Sequence, residues 1–183
     1  MDFEVSAMNL AALVKALQAD GSATKVLERV SPQTRAVLEM PHAQRWHPGA
    51  LAVETWGAII DTCGAPKLEA LNLALTRQSF GPIVRPLVKV ALALGGSSPA
   101  TVLARLDDAI KVATRNVHVT WAPQGAQVGS VTFEYPRAMV RTDVIEFGWR
   151  GAMRFGEELT GKTLHFGAFQ ILSDRRFMFP VRW

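Results

Sequence analysis

The sequence predicts an α+β protein in which N-terminal helices pack on a C-terminal antiparallel sheet. Two observations support this fold class. Apolar residues recur at helical spacing through the first two-thirds of the chain, and near Asn116 the period falls from about 3.6 residues to about 2. The last third then reads strand, strand, helix, strand, strand, an order typical of an antiparallel sheet covered by helices.

Length and composition favour a single domain over residues 1–183, mainly helical in 1–115 and sheet-containing in 116–183. The 183 residues are 49% hydrophobic and 20% charged, well outside the range of disordered chains. One cysteine, Cys63, excludes an intramolecular disulfide, and the N-terminus lacks the pattern of a signal peptide. No apolar stretch is long enough to cross a membrane. We therefore expect a cytoplasmic protein that makes no membrane contact.

The helical part contains several segments with recognisable ends. Ser98 and Pro99 form a cap and first-turn pair before the clearest helical pattern in the chain. Residues 83–94 are apolar around most of the helical wheel, which predicts a helix buried in the centre of the domain. The predicted helices cover residues 8–19, 32–40, 49–62, 68–75, 83–94 and 98–116.

The sheet part is predicted to contain four strands and one helix. The strands cover residues 117–122, 128–135, 163–172 and 177–183, and the helix runs from Thr142 or Asp143 to Gly161. In the last strand, RRFMFPVRW, large apolar residues alternate with Arg, Met and Pro. Because Pro180 lacks a backbone donor, this strand should lie at a sheet edge or turn the proline nitrogen away from its neighbour.

The late helix carries a ridge of small residues, Gly148, Ala152 and Gly156, at four-residue steps. Ile145 and Phe155 continue the same face. The favoured interpretation is close packing of the ridge on the protein's own sheet. The alternatives are an interface with a second subunit, formed by the three ridge residues, or contact with a flat ligand.

The order of elements, the segment YPRAMVRTDVIEFGWRGAMRFGEELTGKTLHFGAF and the final RRFMFPVRW resemble a paralogous family of myxobacterial proteins of unknown function. The motif residues are Pro136, the Trp149 to Gly151 step and the closing Arg182 and Trp183. That family is similar in layout to the small-molecule-binding domains of 4-vinyl reductase accessory proteins and transport-particle subunits, and more distantly to haem nitric-oxide-binding domains. The resemblance implies helices on a twisted antiparallel sheet, an apolar pocket between them and a tendency to dimerise. Relatives often carry a cysteine before the last strand, where this chain has Arg175 and Arg176.

The sequence contains no recognisable catalytic or metal-binding motif. His42 and His47 are five residues apart, a spacing that does not place both on one helical face, and His118 and His165 fall in predicted strands. No nucleophile elbow is present, and Cys63 reads as a small buried hydrophobe. No metal site and no cofactor are predicted, although haem or another apolar ligand is left open.

A ligand pocket is predicted between the helix at 83–94 and the late helix, where small residues leave room. The candidate apolar contacts are Leu87, Val90, Ala91, Gly148, Ala152 and Phe155. Arg150 or Arg154 would contact a polar group of the ligand.

These features predict a non-enzymatic regulatory or adaptor domain that binds an apolar small molecule or a protein partner, with a homodimer as the expected assembly. One alternative is a nucleic-acid-associated regulator, because seven arginines follow residue 136; the interleaved acidic residues instead favour a mixed, solvated surface. The other alternative is an enzyme without a known motif. The late arginines are Arg137, Arg141, Arg150, Arg154, Arg175, Arg176 and Arg182.

Overall fold

The computed structural model describes residues 2–78 and 98–183. The helices are α1 (Ala7–Ala19), α2 (Ala23–Leu27), α3 (Pro32–Glu39), a 3-10 turn (Pro41–Ala43), α4 (Gly49–Cys63), α5 (65–78), α6 (Pro99–Leu103), α7 (Leu106–Ile110) and α8 (Thr142–Thr160). The strands are β1 (Glu4–Ser6), β2 (Trp46–Pro48), β3 (Thr114–Arg115), β4 (His118–Gly125), β5 (Val128–Glu134), β6 (His165–Phe166), β7 (Gln170–Ile171) and β8 (Arg176–Arg182). Helices and antiparallel strands together confirm the α+β prediction.

Local sequence signals explain several helix ends. The Ser31 hydroxyl accepts a hydrogen bond from the Thr34 amide at 3.3 Å, and Pro32 occupies the first turn of α3. Helix α8 ends at Gly161, whose φ of 67° lies in the left-handed region that glycine adopts without strain. The predicted bounds of α8 are therefore correct to within a residue.

The larger sheet has the order β4-β5-β8-β6, with β7 also pairing with β8. Strand β8 thus lies inside the sheet, and the prediction of an edge strand was wrong. The Pro180 carbonyl accepts a hydrogen bond from the Gly167 amide at 2.8 Å. The nitrogen and the carbonyl of one residue point to the same side of an extended strand, so the Pro180 nitrogen also faces the segment around Gly167. This segment lies between β6 and β7, where the sheet hydrogen bonds are interrupted and a backbone N–H of residue 180 is not needed.

One face of this sheet is apolar across three strands. Val119, Phe133 and Phe177 lie side by side in β4, β5 and β8, and the next row places Val131 beside Phe179. All five residues are buried. Helix α8 covers this face, where the Trp149 ring stacks on Phe133 with centroids 4.4 Å apart. The predicted layering of helix on sheet is therefore present.

A second sheet, in the order β2-β1-β3, lies within the part predicted to be helical. Its middle strand pairs Val5 with His47 on one side and with Thr114 on the other. The sequence prediction missed this sheet because strands of two or three residues are too short to show a period. The alternation of buried Phe3 and Val5 was the available signal.

Two predicted elements are interrupted in the structure. The helix expected over residues 98–116 divides into α6 and α7, and the side chain of Asp107 in α7 accepts a hydrogen bond from the Val119 amide at 2.8 Å. This bond ties α7 to the start of β4, so a tertiary contact overrides a continuous helix. The strand expected over 163–172 forms only the two short pieces β6 and β7. The helix predicted at 83–94 lies outside the described residues.

Candidate functional site

A cavity of about 500 Å³ lies between α8, α5 and the pair α6 and α7. Further lining residues come from α1, α4 and β3, and from the residues just before β1 and β4 and just after β5. Most of its lining side chains are apolar. Its volume lies in the range of small-molecule sites in proteins, and an apolar wall with a few polar groups is typical of such sites. The cavity is therefore the candidate ligand site.

The small residues of α8 create much of this space. Gly148, Ala152 and Gly156 all line the cavity. A methyl group added at Gly148 would meet its nearest atom, in the Asn72 side chain, only at 3.8 Å, and at Gly156 the nearest side chains are 3.7 Å away. A methyl group at Gly151, on the adjacent side of the helix, would instead overlap the main chain of Glu69 in α5. Helix α8 thus contacts the main chain of α5 at Gly151, whereas the positions of Gly148 and Gly156 leave room for a methyl group beside α5 and α6.

The ridge therefore faces α5 and α6 of the same chain and the cavity between them. This differs from the favoured interpretation, in which the ridge packed on the sheet. The interface with a second subunit that was predicted for Gly148, Ala152 and Gly156 stays a prediction; the structure places the three residues on the wall of the cavity.

A pair of aromatic residues brings polar atoms to the apolar wall. Trp149 Nε1 donates a hydrogen bond to the Tyr135 hydroxyl oxygen at 2.7 Å, and both residues line the cavity. Tyr135 is 4% exposed, and this burial raises the pKa of its phenol. The hydroxyl therefore keeps its proton at physiological pH.

The Tyr135 hydroxyl retains an unused donor. The indole of Trp149 can only donate, so the tyrosine oxygen is the acceptor of their bond and its own proton needs another partner. Among residues 2–78 and 98–183 no group accepts that proton. Trp56, also on the cavity wall, has an indole N–H that is buried without an acceptor in the same described ranges. Buried donors of this kind usually have a partner, so both call for an explanation.

The sequence-predicted contacts divide into two groups. Gly148, Ala152 and Phe155 line the cavity, as the ligand hypothesis requires. Arg150 and Arg154 do not line it. Arg150 pairs with Glu146 one turn earlier in α8, and Arg154 pairs with carboxylates of α5 and α8. Their placement gives no support to the prediction that they contact a polar group of the ligand. Leu87, Val90 and Ala91 lie outside the described residues.

Sequence reasoning missed the walls contributed by α6, α7 and the end of β5. Thr101, Val102 and Leu106 line the cavity from the two short helices, and Tyr135 from the residue after β5. A buried tyrosine directly after a strand was the available signal, since a phenol in a core usually has a polar partner.

The late arginines are mostly paired with carboxylates of this chain. The pairs within 4.0 Å are Arg137–Asp2, Arg141–Asp143, Arg150–Glu146, Arg154–Glu157, Arg175–Asp174 and Arg176–Glu134. A phosphate backbone would have to compete with these partners. The placement of the arginines therefore favours the mixed surface over a nucleic-acid site.

The histidines lie away from the cavity. His47 is buried and its Nε2 lies 2.7 Å from the Pro41 carbonyl oxygen, while His42, His118 and His165 are exposed. In the part of the chain that the structure describes, no three His, Cys, Asp or Glu residues come together as a metal site. No helix among the same residues has the length and hydropathy to cross a membrane.

No protein-family model matches the sequence, and no curated protein matches it either. The structure is similar to solved H-NOX proteins. A mutant of an H-NOX protein from K. algicida, in the Fe(II) unliganded state, aligns with a TM-score of 0.70 at 9% identity, covering 97% of this chain and 95% of that one. An H-NOX protein from S. oneidensis in the Fe(II)NO ligation state aligns with a TM-score of 0.64 at 8% identity, covering 97% and 98%. A structure described as probing heme distortion in the H-NOX family aligns with a TM-score of 0.61 at 8% identity, covering 97% and 94%.

This chain thus has the H-NOX fold over nearly its whole length. The likeness agrees with the distant comparison to haem nitric-oxide-binding domains made from sequence. The closer resemblances, to a myxobacterial family and to 4-vinyl reductase domains, stay predictions.

The descriptions of the solved H-NOX structures name heme, but the residues at the cavity of this chain do not fit that group. Haem iron is held by His, Cys, Tyr, or Met alongside His. No His or Cys lines the cavity among the described residues, and residues 79–97 contain no His, Cys, Met or Tyr. Tyr135 would have to ionise to bind iron, whereas burial raises the pKa of its phenol. Met153 is the remaining candidate on the described wall, and it has no histidine opposite.

Proposed function

We propose that this protein is a non-enzymatic regulatory domain that binds an apolar small molecule in the cavity between α8, α5, α6 and α7. The single observation that carries the proposal is the cavity itself, about 500 Å³ with a mainly apolar wall. The H-NOX proteins that share the fold include one described as an oxygen-binding domain in its oxygen complex, which supports small-molecule binding as the use of this fold.

Filling this cavity would stabilise the protein. An apolar wall offers water no hydrogen bonds, and each square ångström of apolar surface removed from water contributes about 25 cal/mol to the free energy of binding. A ligand that binds only the folded state also raises the free energy of unfolding by mass action. Occupancy would thus be readable as a change in stability.

The proposal of a regulatory role rests on the contacts that α8 makes with the large sheet and with α4. Its Trp149 stacks on Phe133 in the large sheet, and Arg141, just before the helix, pairs with Asp61 of α4 at 3.0 Å. A ligand between α8 and α6 would press on a helix that contacts both the sheet and the N-terminal helices. The absence of a catalytic motif in the sequence agrees with a binding role. Homodimerisation and a protein partner stay predictions.

The test compares the natural protein with a variant whose cavity is filled. Ala152→Phe places a ring in the cavity, and Ala70→Phe makes the same change at an exposed position of α5. Each protein is purified from its expression host, and native mass spectrometry measures any retained small molecule. We expect a bound compound with the natural protein and with Ala70→Phe, and none with Ala152→Phe.

A compound retained equally by all three proteins would place the binding elsewhere and contradict the proposal. If no protein retains a compound, a thermal-shift screen of apolar compounds decides. The proposal then requires compounds that raise the Tm of the natural protein and of Ala70→Phe but not of Ala152→Phe.

A further inference from the structure

We infer that the cavity holds a mostly apolar, haem-free molecule carrying one neutral hydrogen-bond acceptor, such as a carbonyl oxygen, which the Tyr135 hydroxyl binds. The inference rests on the proposed function, because it names the class of ligand for the same site.

The hydroxyl of Tyr135 is oriented by its neighbour. Trp149 Nε1 donates to the tyrosine oxygen at 2.7 Å and so occupies one of its acceptor positions. The stack of Trp149 on Phe133 holds the indole in place, and Phe3 packs edge-on against the tyrosine ring with centroids 5.3 Å apart. Because the ring is held in this way, the Tyr135 hydroxyl can donate its proton only to an acceptor in a narrow range of positions. A ligand is then selected by where its acceptor atom lies.

A buried hydroxyl proton without an acceptor costs free energy, and a ligand acceptor would recover it. In the ranges 2–78 and 98–183 nothing in the protein accepts this proton. The unpaired indole N–H of Trp56, on the same cavity wall, adds a second donor without a partner. Both unsatisfied groups are donors, so the missing partner is an acceptor.

The acceptor should be neutral. An anion buried against an apolar wall needs a cation at hydrogen-bond distance, because the loss of its hydration is otherwise too costly. On the described wall the cationic side chain is Arg105, which is 80% exposed and lies 3.9 Å from Asp108, also a lining residue. That cation is therefore mostly in solvent, whereas the hydroxyl is buried. A carbonyl or ether oxygen at Tyr135 needs no cation, whereas a carboxylate there would have no buried cation as a partner within residues 2–78 and 98–183.

The test uses two probes that differ only in the acceptor. Fluorenone and fluorene share one rigid apolar skeleton, and only fluorenone carries a carbonyl oxygen. Binding of each probe is measured by isothermal titration calorimetry to the natural protein, to Tyr135→Phe and to Thr120→Val. The last variant removes a hydroxyl at an exposed position of β4, outside the cavity wall.

We expect the natural protein and Thr120→Val to bind fluorenone about 2- to 12-fold more tightly than fluorene, the ratio that one neutral hydrogen bond provides. Tyr135→Phe should lose this preference while its affinity for fluorene is kept, which shows that the cavity is intact in the variant. Equal affinities of the natural protein for both probes, or a preference that survives in Tyr135→Phe, would overturn the inference and leave the proposed function standing. Failure of both probes to bind the natural protein would count against the cavity as a small-molecule site and against both proposals.

Haem is tested in the same series. Hemin is titrated into the natural protein and the absorption spectrum is recorded. We expect no saturable band of protein-ligated iron. A saturable band that disappears in Tyr135→Phe or in Met153→Leu would show that the cavity holds haem through that residue and would overturn the inference.

Discussion

Trp149 Nε1 donates a hydrogen bond to the hydroxyl of Tyr135 at 2.7 Å, which joins the middle of α8 to the residue that follows β5. Tyr135 is the only tyrosine in the chain. Its ionisation can therefore be followed by the ultraviolet absorbance of the phenolate without interference from another residue.

We expect the tyrosine of the folded protein to stay protonated above pH 10, because burial raises the pKa of the phenol. In the unfolded chain the same phenol should titrate near its ordinary value of about 10. The folded state then holds a proton that the unfolded state loses, so the stabilising contribution is complete below about pH 10 and is lost as the pH rises towards the folded-state pKa. The measurement is an absorbance titration in buffer and in denaturant. Identical titration curves would show that Tyr135 is not buried.

The glycines of α8 should differ sharply in their tolerance of alanine. A Cβ at Gly151 would overlap the carbonyl oxygen of Glu69 and lie 2.9 Å from the carbonyl carbon, so Gly151→Ala forces α8 away from α5. We expect a loss of about 1 to 3 kcal/mol in the free energy of unfolding, measured with denaturant.

Gly148→Ala is the matched control on the same helix. The nearest atom to its new Cβ is 3.8 Å away, and alanine favours the helix by about 0.5 to 1 kcal/mol over glycine. We expect unchanged or slightly higher stability. Equal destabilisation by both substitutions would mean that the space beside Gly148 is absent.

Removal of residues 180–183 should destabilise the protein by about 3 kcal/mol or more. Val181 is 1% exposed in a strand with partners on both sides, and the Trp183 ring lies 5.9 Å from that of Trp121. The control is Arg182→Ala, which removes an exposed side chain from the same strand and should have little effect. Thermal unfolding measures both variants, and an unchanged Tm after truncation would argue against the central position of β8.

The ion pairs of Arg141 should contribute to stability in a pH-dependent way. Its guanidinium lies 2.7 Å from Asp143 and holds the pKa of that carboxyl below its usual value. The contribution is present above the unfolded-state pKa of about 3.9 and is lost as the pH falls through the lower folded-state pKa.

Arg141→Gln should therefore cost less than about 1 kcal/mol near pH 7, since the pair is more than one-third exposed, and the difference from the natural protein should shrink at acidic pH. The matched control, Arg137→Gln, removes a more exposed pair with Asp2 and should change the unfolding free energy less. A cost for Arg141→Gln that persists undiminished at low pH would assign it to packing rather than charge.

Much of the fold could be read from residue spacing. The alternation in residues 177–183 predicted a strand with one buried face, and the helical period with Gly161 at its end predicted α8 almost to the residue. Both elements are long enough for a period to repeat. The three strands β1, β2 and β3 were missed because none exceeds three residues.

The candidate site could be predicted only in part. The spacing of Gly148, Ala152 and Phe155 placed them on one face and suggested a gap beside them, and all three line the cavity. The predicted polar contacts, Arg150 and Arg154, lie elsewhere because nearby carboxylates on α5 and α8 bind them. The partner of Arg154, Glu69, lies 85 residues away in sequence, so the position of the Arg154 side chain could not be predicted from local spacing.

The sequence by itself determined which segments form the longer helices and strands and which helix face is made of small residues, because backbone periodicity and side-chain size are local properties. Only the tertiary structure decided that β8 lies inside its sheet, that the small-residue face borders a cavity, and that Tyr135 meets Trp149 there. These depend on contacts between residues far apart in the chain, whose free energy belongs to the packed assembly and not to any one segment.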